Sequence, residues 1–170
     1  SVINAHLART VGGKVSFTHL IGYAIVEALC EMPQMNVRYS LNDGKPAIDE
    51  RAHVGFGLAI DIHHAGERRL VVPVIHDADT LTFTGFVEAY QDIISRAKTG
   101  SLSAEDYQGA TVTLTNPGTI GTTTSVPRLM NGQGVIIGVG AMDYPAEFAG
   151  VSPRKLALLG IGKTMFVSST

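Results

Sequence analysis

The spacing of hydrophobic residues predicts two amphipathic helices. In the first, apolar side chains recur every three to four residues after a cap at Ser16 or Thr18, and Pro33 follows the end. Its stripe comprises Ile21, Ile25, Ala28, Leu29 and Met32, with Cys30 expected to pack beside it. The second runs over residues 83–98 to Gly100, with a stripe of Phe86, Val87, Tyr90, Ile93, Ile94 and Ala97. Residues 2–8 have the spacing of the end of a further helix.

Strict alternation over residues 54–62 predicts a β-strand with one bulky and one small face. The small face carries Gly55, Gly57, Ala59 and Asp61, so we expect another layer to approach it closely. After a turn at residues 65–67 the chain returns as a strand over 70–75, where Pro73 cannot donate to a ladder and indicates an edge or a bulge. Residues 42–46 are predicted to form a turn and residues 102–107 a short helical turn capped by Ser103. Further strands are expected at 111–115, 134–142 and 163–170, which together predict one α/β domain around an open sheet.

Composition narrows the classes of function. The 170 residues carry a net charge of −2, which argues against a nucleic-acid binder and against a polybasic membrane anchor. No apolar stretch is long enough for a transmembrane helix. One cysteine, Cys30, excludes an internal disulfide and a multi-cysteine metal site. Adjacent histidines on a strand point to opposite faces, so His63 and His64 do not predict a metal site either.

The most informative segment is a row of threonines that ends in a loop of small polar residues. Thr111, Thr113 and Thr115 share one face of the expected strand, and Asn-Pro-Gly follows directly. A hydroxyl held rigidly at a strand end can stabilise an oxyanion that develops in a neighbouring cavity. The alternative is a row of ordinary surface threonines, since threonine is common in strands.

Other candidate signals are weaker. Gly55-x-Gly57 and Gly138-x-Gly140 do not complete a dinucleotide-binding fingerprint. His76, Asp77 and Asp79 fit a surface turn better than an acid–base pair, and His6 and His19 fit helix faces in a core or an interface.

The run TVTLTNPGTIG at residues 111–121 resembles the strand-and-loop motif of the 2-oxoacid dehydrogenase acyltransferase catalytic domain. The likeness extends through KVSFTHLIGYAIVEALCEMPQMN, VGFGLAIDI, RRLVVPVIHDADTLTF and SVPRLMNGQGVIIGVGAM, in the order and spacing of that family. Within the family the amino-acid sequence most resembles the succinyltransferase-like domains of fused actinobacterial 2-oxoglutarate dehydrogenases.

This resemblance implies a chloramphenicol acetyltransferase-like fold, a mixed sheet flanked by helices, assembled as a homotrimer with the active site between subunits. It implies transfer of an acyl group, expected to be succinyl, from dihydrolipoamide to coenzyme A in a cytoplasmic 2-oxoglutarate dehydrogenase complex of the tricarboxylic acid cycle. A histidine would act as base, and the hydroxyl position of the motif falls on Thr115. Asn116 and Ser125 would line the substrate channel. Partners would be a lipoyl-carrying domain and a decarboxylase, fused or separate, that holds thiamine diphosphate and Mg.

One element of the family pattern has no counterpart here. The catalytic His-x-x-x-Asp-Gly motif should follow the strand at 163–170, and none of the six histidines matches it. We therefore expect residues 1–170 to be an acyltransferase domain truncated at both ends and inactive by itself. The alternative function is a non-catalytic trimeric scaffold that anchors the decarboxylase. An antibiotic acetyltransferase of the chloramphenicol type fits the motifs less well.

Overall fold

Eight strands and three α-helices build the fold, which we describe for residues 15–64 and 66–170 of a computed structural model. In chain order they are α1 (Phe17–Glu31), β1 (Val37–Asn42), β2 (Lys45–Glu50), β3 (Phe56–His64), β4 (Glu67–Val71), β5 (Val74–Ile75), α2 (Phe83–Thr99), β6 (Val112–Thr115), β7 (Val135–Val139), α3 (Pro153–Leu158) and β8 (Val167–Ser169). The predicted helix at residues 2–8, with His6, lies outside the described residues. None of the helices in the described ranges has the length and apolar character needed to cross a membrane.

Three parallel strands from distant parts of the sequence form the centre of the main sheet. β3, β6 and β7 lie side by side, and β8 runs antiparallel to β7 at one edge. β4 and β5 pair antiparallel with β3 at the other edge, with a break at Val72 and Pro73. The Pro73 carbonyl accepts a hydrogen bond from the Leu58 N–H at 2.9 Å. The predicted edge strand with an irregularity at Pro73 is thereby confirmed.

The register of the parallel strands gives the sheet two different faces. Ala59, Thr115 and Gly138 are neighbours across β3, β6 and β7, and side chains alternate along each strand. One face therefore carries glycine, alanine and threonine, with Ile136 of β7 as its bulky exception, and we call it the small face. The other, the bulky face, is lined by Phe56, Leu58, Val112, Leu114, Val135 and Ile137.

Helices α1 and α2 cover the bulky face. Phe86 of α2 is fully buried and meets the ring of Phe56 edge-on, with 5.3 Å between ring centroids. Thr82 caps α2, since its hydroxyl accepts from the Gly85 N–H at 3.2 Å. Gly100 ends the helix in the left-handed region at φ 71°, a conformation that glycine adopts without a Cβ penalty. The predicted second helix and its apolar face are confirmed.

Helix α1 begins and ends as predicted, but its buried face is different. Its fully buried positions are His19, Gly22, Val26 and Leu29. Ile21 and Ile25 are only partly buried, and Ala28, Met32 and Cys30 are exposed, so the prediction was wrong for these last three. The cause lies at Gly22, where an added Cβ would lie 3.0 Å from Phe86 and 3.1 Å from Phe56. The helix turns its glycine toward these rings, and this rotation brings residues 28, 30 and 32 to the surface.

Close backbone approach explains part of the small face. A Cβ at Gly55 would lie 1.9 Å from the Gly109 carbonyl oxygen, so no larger residue fits without a shift of backbone. The Thr111 N–H donates to the Gly55 carbonyl at 2.8 Å in the same place. The predicted close approach to this face is therefore observed at its amino-terminal end.

Three local elements differ from the sequence prediction. The turn at residues 42–46 joins two strands, β1 and β2, which were not predicted. The helix α3 was also missed, although Ser152 caps it and Pro153 opens it. In the short turn Glu105–Tyr107, Ser103 is not the cap residue; instead its N–H donates to the Asp106 carboxylate at 2.7 Å.

Candidate functional site

The three threonines at and before β6 differ in their hydrogen bonds: the hydroxyls of Thr111 and Thr113 are hydrogen-bonded, and that of Thr115 is not, within the described chain. Thr111 and Thr113 are buried. The Thr111 hydroxyl accepts from the Gly55 N–H at 3.1 Å, and the Thr113 hydroxyl donates to the Gln133 side-chain oxygen at 2.8 Å. The interpretation of the row as surface threonines is therefore wrong for these two, because each hydroxyl satisfies a buried polar group.

Thr115 ends the strand in a different environment. It is half-buried, and its hydroxyl makes no hydrogen bond within the part of the chain that the structure describes. It lines a cavity of about 420 Å³ at the carboxyl ends of β3 and β6. A volume of this size lies in the ordinary range for small-molecule sites. The hydroxyl is thus free to donate to a group that enters the cavity.

The small face and the loop after β6 form the walls of this cavity. Ala59 and Asp61 come from β3, while Arg68 and Leu70 come from β4. Asp61 pairs with Leu70 in the register, and Ala59 pairs with Thr115. The remaining lining residues belong to the loop: Asn116, Pro117, Thr119 and Ile120.

Asn116 holds that loop against helix α1. Its side-chain amide donates to the Thr18 hydroxyl at 2.9 Å. Gly118 allows the loop to pack closely against Gly140, the residue after β7, since a Cβ at position 118 would lie 2.3 Å from the Gly140 backbone. The structure therefore places Thr115 and Asn116 together at the cavity, with the Asn116 amide engaged in positioning the loop.

Ser125 lies elsewhere. It is half-buried, and its carbonyl accepts from the Ser168 hydroxyl at 2.5 Å, a contact that joins the loop to β8. It is not among the residues that line the cavity in the described chain. The structure does not bring Ser125 together with Thr115 in this subunit.

An ion pair borders the cavity on the β4 side, and the sequence did not predict it as part of the site. Arg68 Nε donates to Asp61 Oδ2 at 2.7 Å, and Arg68 Nη2 approaches the same oxygen at 2.5 Å. The hydrogen bond with Asp61 raises the pKa of Arg68, so the guanidinium is charged at any physiological pH. The one available signal was that Asp61 is the single charged residue on the small face of β3.

A histidine–carboxylate pair lies at a different place. His53 Nδ1 is 2.9 Å from Asp79 Oδ2, and Asp79 Oδ1 accepts from the Val54 N–H at 2.7 Å. The hydrogen bond with Asp79 raises the pKa of His53. The predicted surface turn is observed for the exposed His76 and Asp77, whereas Asp79 is half-buried and anchors the start of β3. The lining of the Thr115 cavity includes none of the histidines whose side chains the structure describes, His19, His53 and His76.

The arrangement combines an unbonded hydroxyl, the Arg68–Asp61 ion pair and walls of mixed apolar and polar residues. It can bind a small organic group and donate to one of its oxygens. Among the side chains that the structure describes, in residues 15–62 and 66–170, no cluster of three histidine, cysteine or acidic groups is placed to hold a metal ion.

Comparison with known proteins gives one family for the whole chain. The model of the 2-oxoacid dehydrogenase acyltransferase catalytic domain matches residues 1–170. A multifunctional 2-oxoglutarate metabolism enzyme from Mycobacterium sp. (strain JLS) is 59% identical over 170 residues, which are 99% of this chain and 13% of that protein. The chain therefore spans about one eighth of the length of this relative.

Solved structures show the same fold. A dihydrolipoamide acetyltransferase from Azotobacter vinelandii, studied for the roles of a serine, a histidine and an asparagine in its catalytic mechanism, matches with a TM-score of 0.75 and 22% identity. The match covers 99% of this chain and 65% of that one. A chloramphenicol acetyltransferase matches with a TM-score of 0.51 and 18% identity over 84% of this chain and 68% of its own. The predicted mixed sheet with flanking helices is confirmed.

Proposed function

The chain belongs to the family of the 2-oxoacid dehydrogenase acyltransferase catalytic domain, and from this premise we propose that it transfers a succinyl group from dihydrolipoamide to coenzyme A. The succinyl group is the acyl product expected from 2-oxoglutarate, the compound named in the mycobacterial relative. The observation that carries the proposal is the unbonded Thr115 hydroxyl at the wall of the cavity. Antibiotic acetylation, the third function considered, is suggested by a chloramphenicol acetyltransferase of 18% identity, a likeness that extends to the fold alone.

Thr115 would act on the oxygen of the reacting thioester. A histidine base removes the proton from the coenzyme A thiol, and the thiolate attacks the carbonyl carbon of succinyl-dihydrolipoamide. The carbonyl oxygen becomes an oxyanion, to which the Thr115 hydroxyl donates a hydrogen bond. The bond between this carbon and the lipoyl sulfur then breaks, and the lipoyl thiolate takes up the proton held by the histidine. A preorganised donor of this kind stabilises the transition state more than the bound substrate.

We propose that the histidine comes from residues outside 1–170, so that these residues are one part of an acyltransferase domain. The match covers 65% of the A. vinelandii acetyltransferase, and that protein was studied for a catalytic histidine as well as a serine. Asn116 would position the loop over the cavity through its bond to Thr18. Ser125 would line a part of the channel that a neighbouring subunit completes.

The larger assembly is also a proposal. We propose a homotrimer in the cytoplasm that receives its acyl group from a lipoyl-carrying domain. A thiamine-dependent decarboxylase, with thiamine diphosphate and Mg in its own part of the protein, would load the lipoyl group. The long mycobacterial relative, of which this chain spans 13%, supports fusion of these functions in one polypeptide.

The test is the kinetics of Thr115→Ala in the full-length protein. Loss of one oxyanion donor lowers kcat by about 10²–10³-fold, and KM should change little because the hydroxyl acts mainly in the transition state. Thr115→Ser keeps the donor and should recover most of the rate. An alanine variant with the kcat of the wild type would remove Thr115 from the mechanism.

A non-catalytic scaffold is the second candidate, since none of the six histidines matches the family's catalytic motif. It predicts that the full-length protein assembles with its decarboxylase but shows no acyl transfer to coenzyme A, with or without Thr115. Measured transfer by the wild type excludes it.

A further inference from the structure

Arg68 is the one cationic side chain among the residues that line the Thr115 cavity in the described chain. The other lining groups are apolar or uncharged, apart from Asp61. We propose that Arg68 binds the terminal carboxylate of the acyl group and thereby selects acyl groups that carry a free carboxylate at the end away from the thioester. This inference rests on the proposed acyl transfer and adds the residue that determines acyl-group specificity.

Asp61 holds the guanidinium of Arg68 in place. Nε and Nη2 both contact the single oxygen Oδ2 of Asp61. A guanidinium has five N–H donors in a rigid fork, so these contacts leave three donors that Asp61 does not engage. The side chain of Arg68 is 61% exposed, which leaves those donors accessible from the cavity. A carboxylate is the partner whose geometry matches such a fork.

The positions of Asp61 and Thr115 in the sheet leave room for a short acyl group between Thr115 and Arg68. Ala59 is the register partner of Thr115, and Asp61 lies two residues further along β3 on the same face. With a rise of about 3.3 Å per residue and a strand spacing of about 4.8 Å, the backbones at Asp61 and Thr115 are about 8 Å apart. The guanidinium of Arg68 is hydrogen-bonded to the Asp61 side chain above that position.

An extended succinyl group can bridge such a separation. Its thioester carbon and its carboxylate carbon are separated by three carbon–carbon bonds of about 1.5 Å each. With a carbon–oxygen bond of about 1.2 Å and a hydrogen bond of about 2.8 Å at each end, the span between the two donors is at most about 12 Å. The methylene groups would lie against Ala59 and Leu70, which line the same cavity. One end of the acyl group can thus reach Thr115 while the other reaches Arg68.

Asp61 also explains why binding should depend on geometry more than on net charge. The carboxylate of Asp61 offsets most of the charge of Arg68, so the pair exerts little long-range attraction. The selectivity for a terminal carboxylate then comes from the hydrogen bonds that the Arg68 guanidinium donates to it. Lysine at position 68 would keep the charge without the fork, and we expect it to recover only part of the selectivity.

The experiment compares two acyl donors of equal length in the full-length protein, S-succinyl-dihydrolipoamide and S-butyryl-dihydrolipoamide, with coenzyme A as acceptor. Loss of a charge-assisted hydrogen bond corresponds to a drop of roughly 10- to 100-fold. Arg68→Gln should lower kcat/KM for succinyl transfer by that factor and change butyryl transfer by less than about twofold. Arg69→Gln is the control, because Arg69 is the exposed neighbour on the opposite face of β4.

Three results are distinguishable. An unchanged ratio of succinyl to butyryl transfer in Arg68→Gln would overturn the role of Arg68, while transfer by the wild type would leave the proposed function intact. A wild type that transfers neither acyl group would overturn the proposed function and the Arg68 site with it. If Arg68→Gln does not fold, Arg68→Lys gives the test instead: its ratio of succinyl to butyryl transfer should fall below that of the wild type, and an unchanged ratio would overturn the role of Arg68.

Discussion

On the bulky face of the central sheet, two helices bury a continuous set of aromatic and aliphatic side chains, whereas the small face carries hydroxyls and glycines beneath a loop. Phe56 and Phe86 are fully buried on the first. On the small face, Thr113 is fully buried with its hydroxyl hydrogen-bonded, and Thr115 borders a cavity. Apolar packing on one face supplies the stability that allows the other face to keep an open space and an unbonded hydroxyl.

The difference also appears in how much room each face leaves. Ring contacts connect Tyr23, Phe56, Phe86 and Tyr90 across the helical side. The small face has backbone contacts at Gly55 and a cavity at its far end. Because its side chains are short, a ligand can approach the strands directly. The two faces therefore predict different outcomes for substitutions of similar size.

The largest effect on stability should come from Phe86→Ala on the bulky face. The substitution removes a fully buried ring and leaves a cavity, which costs about 3–5 kcal/mol of unfolding free energy. The rate of acyl transfer per folded molecule should stay close to that of the wild type. Urea denaturation and activity, measured on the same samples, check both statements. Phe17→Ala is the control, since Phe17 is 61% exposed and should change stability by less than about 0.5 kcal/mol.

A large fall in kcat with unchanged stability in Phe86→Ala would contradict the division between the two faces.

A smaller effect concerns His19, the one buried titratable group of α1. Burial lowers the pKa of His19 below 6.5, and its Nδ1 accepts the Ser16 N–H at 3.1 Å, which only the neutral ring can do. The unfolded chain therefore binds a proton more readily than the folded chain. Stability should be unaffected above about pH 6.5 and should fall as the pH decreases from there to the folded-state pKa.

His19→Gln isolates this contribution, because glutamine at the same position can accept the same N–H without titrating. The exposed His53 has the opposite shift, toward a raised pKa, and it titrates in both proteins. The difference in unfolding free energy between wild type and His19→Gln should therefore decrease as the pH falls from 7 to 5. A difference that does not change with pH would exclude the role of His19.

Much of the sheet could be predicted because its signals are local. Alternation from Val54 to Ile62 predicted β3 and its two faces, and Pro73 predicted the edge. The hairpin β1–β2 was missed although Val37, Tyr39 and Leu41 alternate with polar residues in β1. The β2 sequence KPAIDE has no such alternation, and both strands are largely exposed, so only β1 and the turn at Asp43 and Gly44 marked the hairpin.

The burial pattern of α1 required tertiary information. Ile21 and Ile25 lie on one face of α1, and Gly22 and Val26 lie on the adjacent face. The sequence alone does not show which of the two faces is buried. The rings of Phe56 and Phe86 decide, since they fit against a glycine. Neither ring lies within 30 residues of Gly22 in the sequence, and so the helix alone gives no sign of them.

Only part of the candidate site has a local signal in the sequence, because the rest depends on tertiary contacts. The motif placed Thr115 and Asn116 at a strand end, and both line the cavity. The sequence could not show that Thr113 would be bonded and Thr115 would not, because the partner Gln133 is 20 residues away. Arg68 was missed because its link to the site depends on the pairing of β3 with β4.

The most direct test of the account compares two isosteric substitutions on one strand, Thr113→Val and Thr115→Val. Thr113→Val leaves the buried Gln133 oxygen without its donor and should cost about 1–3 kcal/mol of unfolding free energy while kcat is retained. Thr115→Val should leave stability within about 0.5 kcal/mol of the wild type and lower kcat by about 10²-fold or more. Urea denaturation and turnover of both variants in the full-length protein would give this crossed result, and a Thr115→Val variant that turns over at the wild-type rate would contradict it.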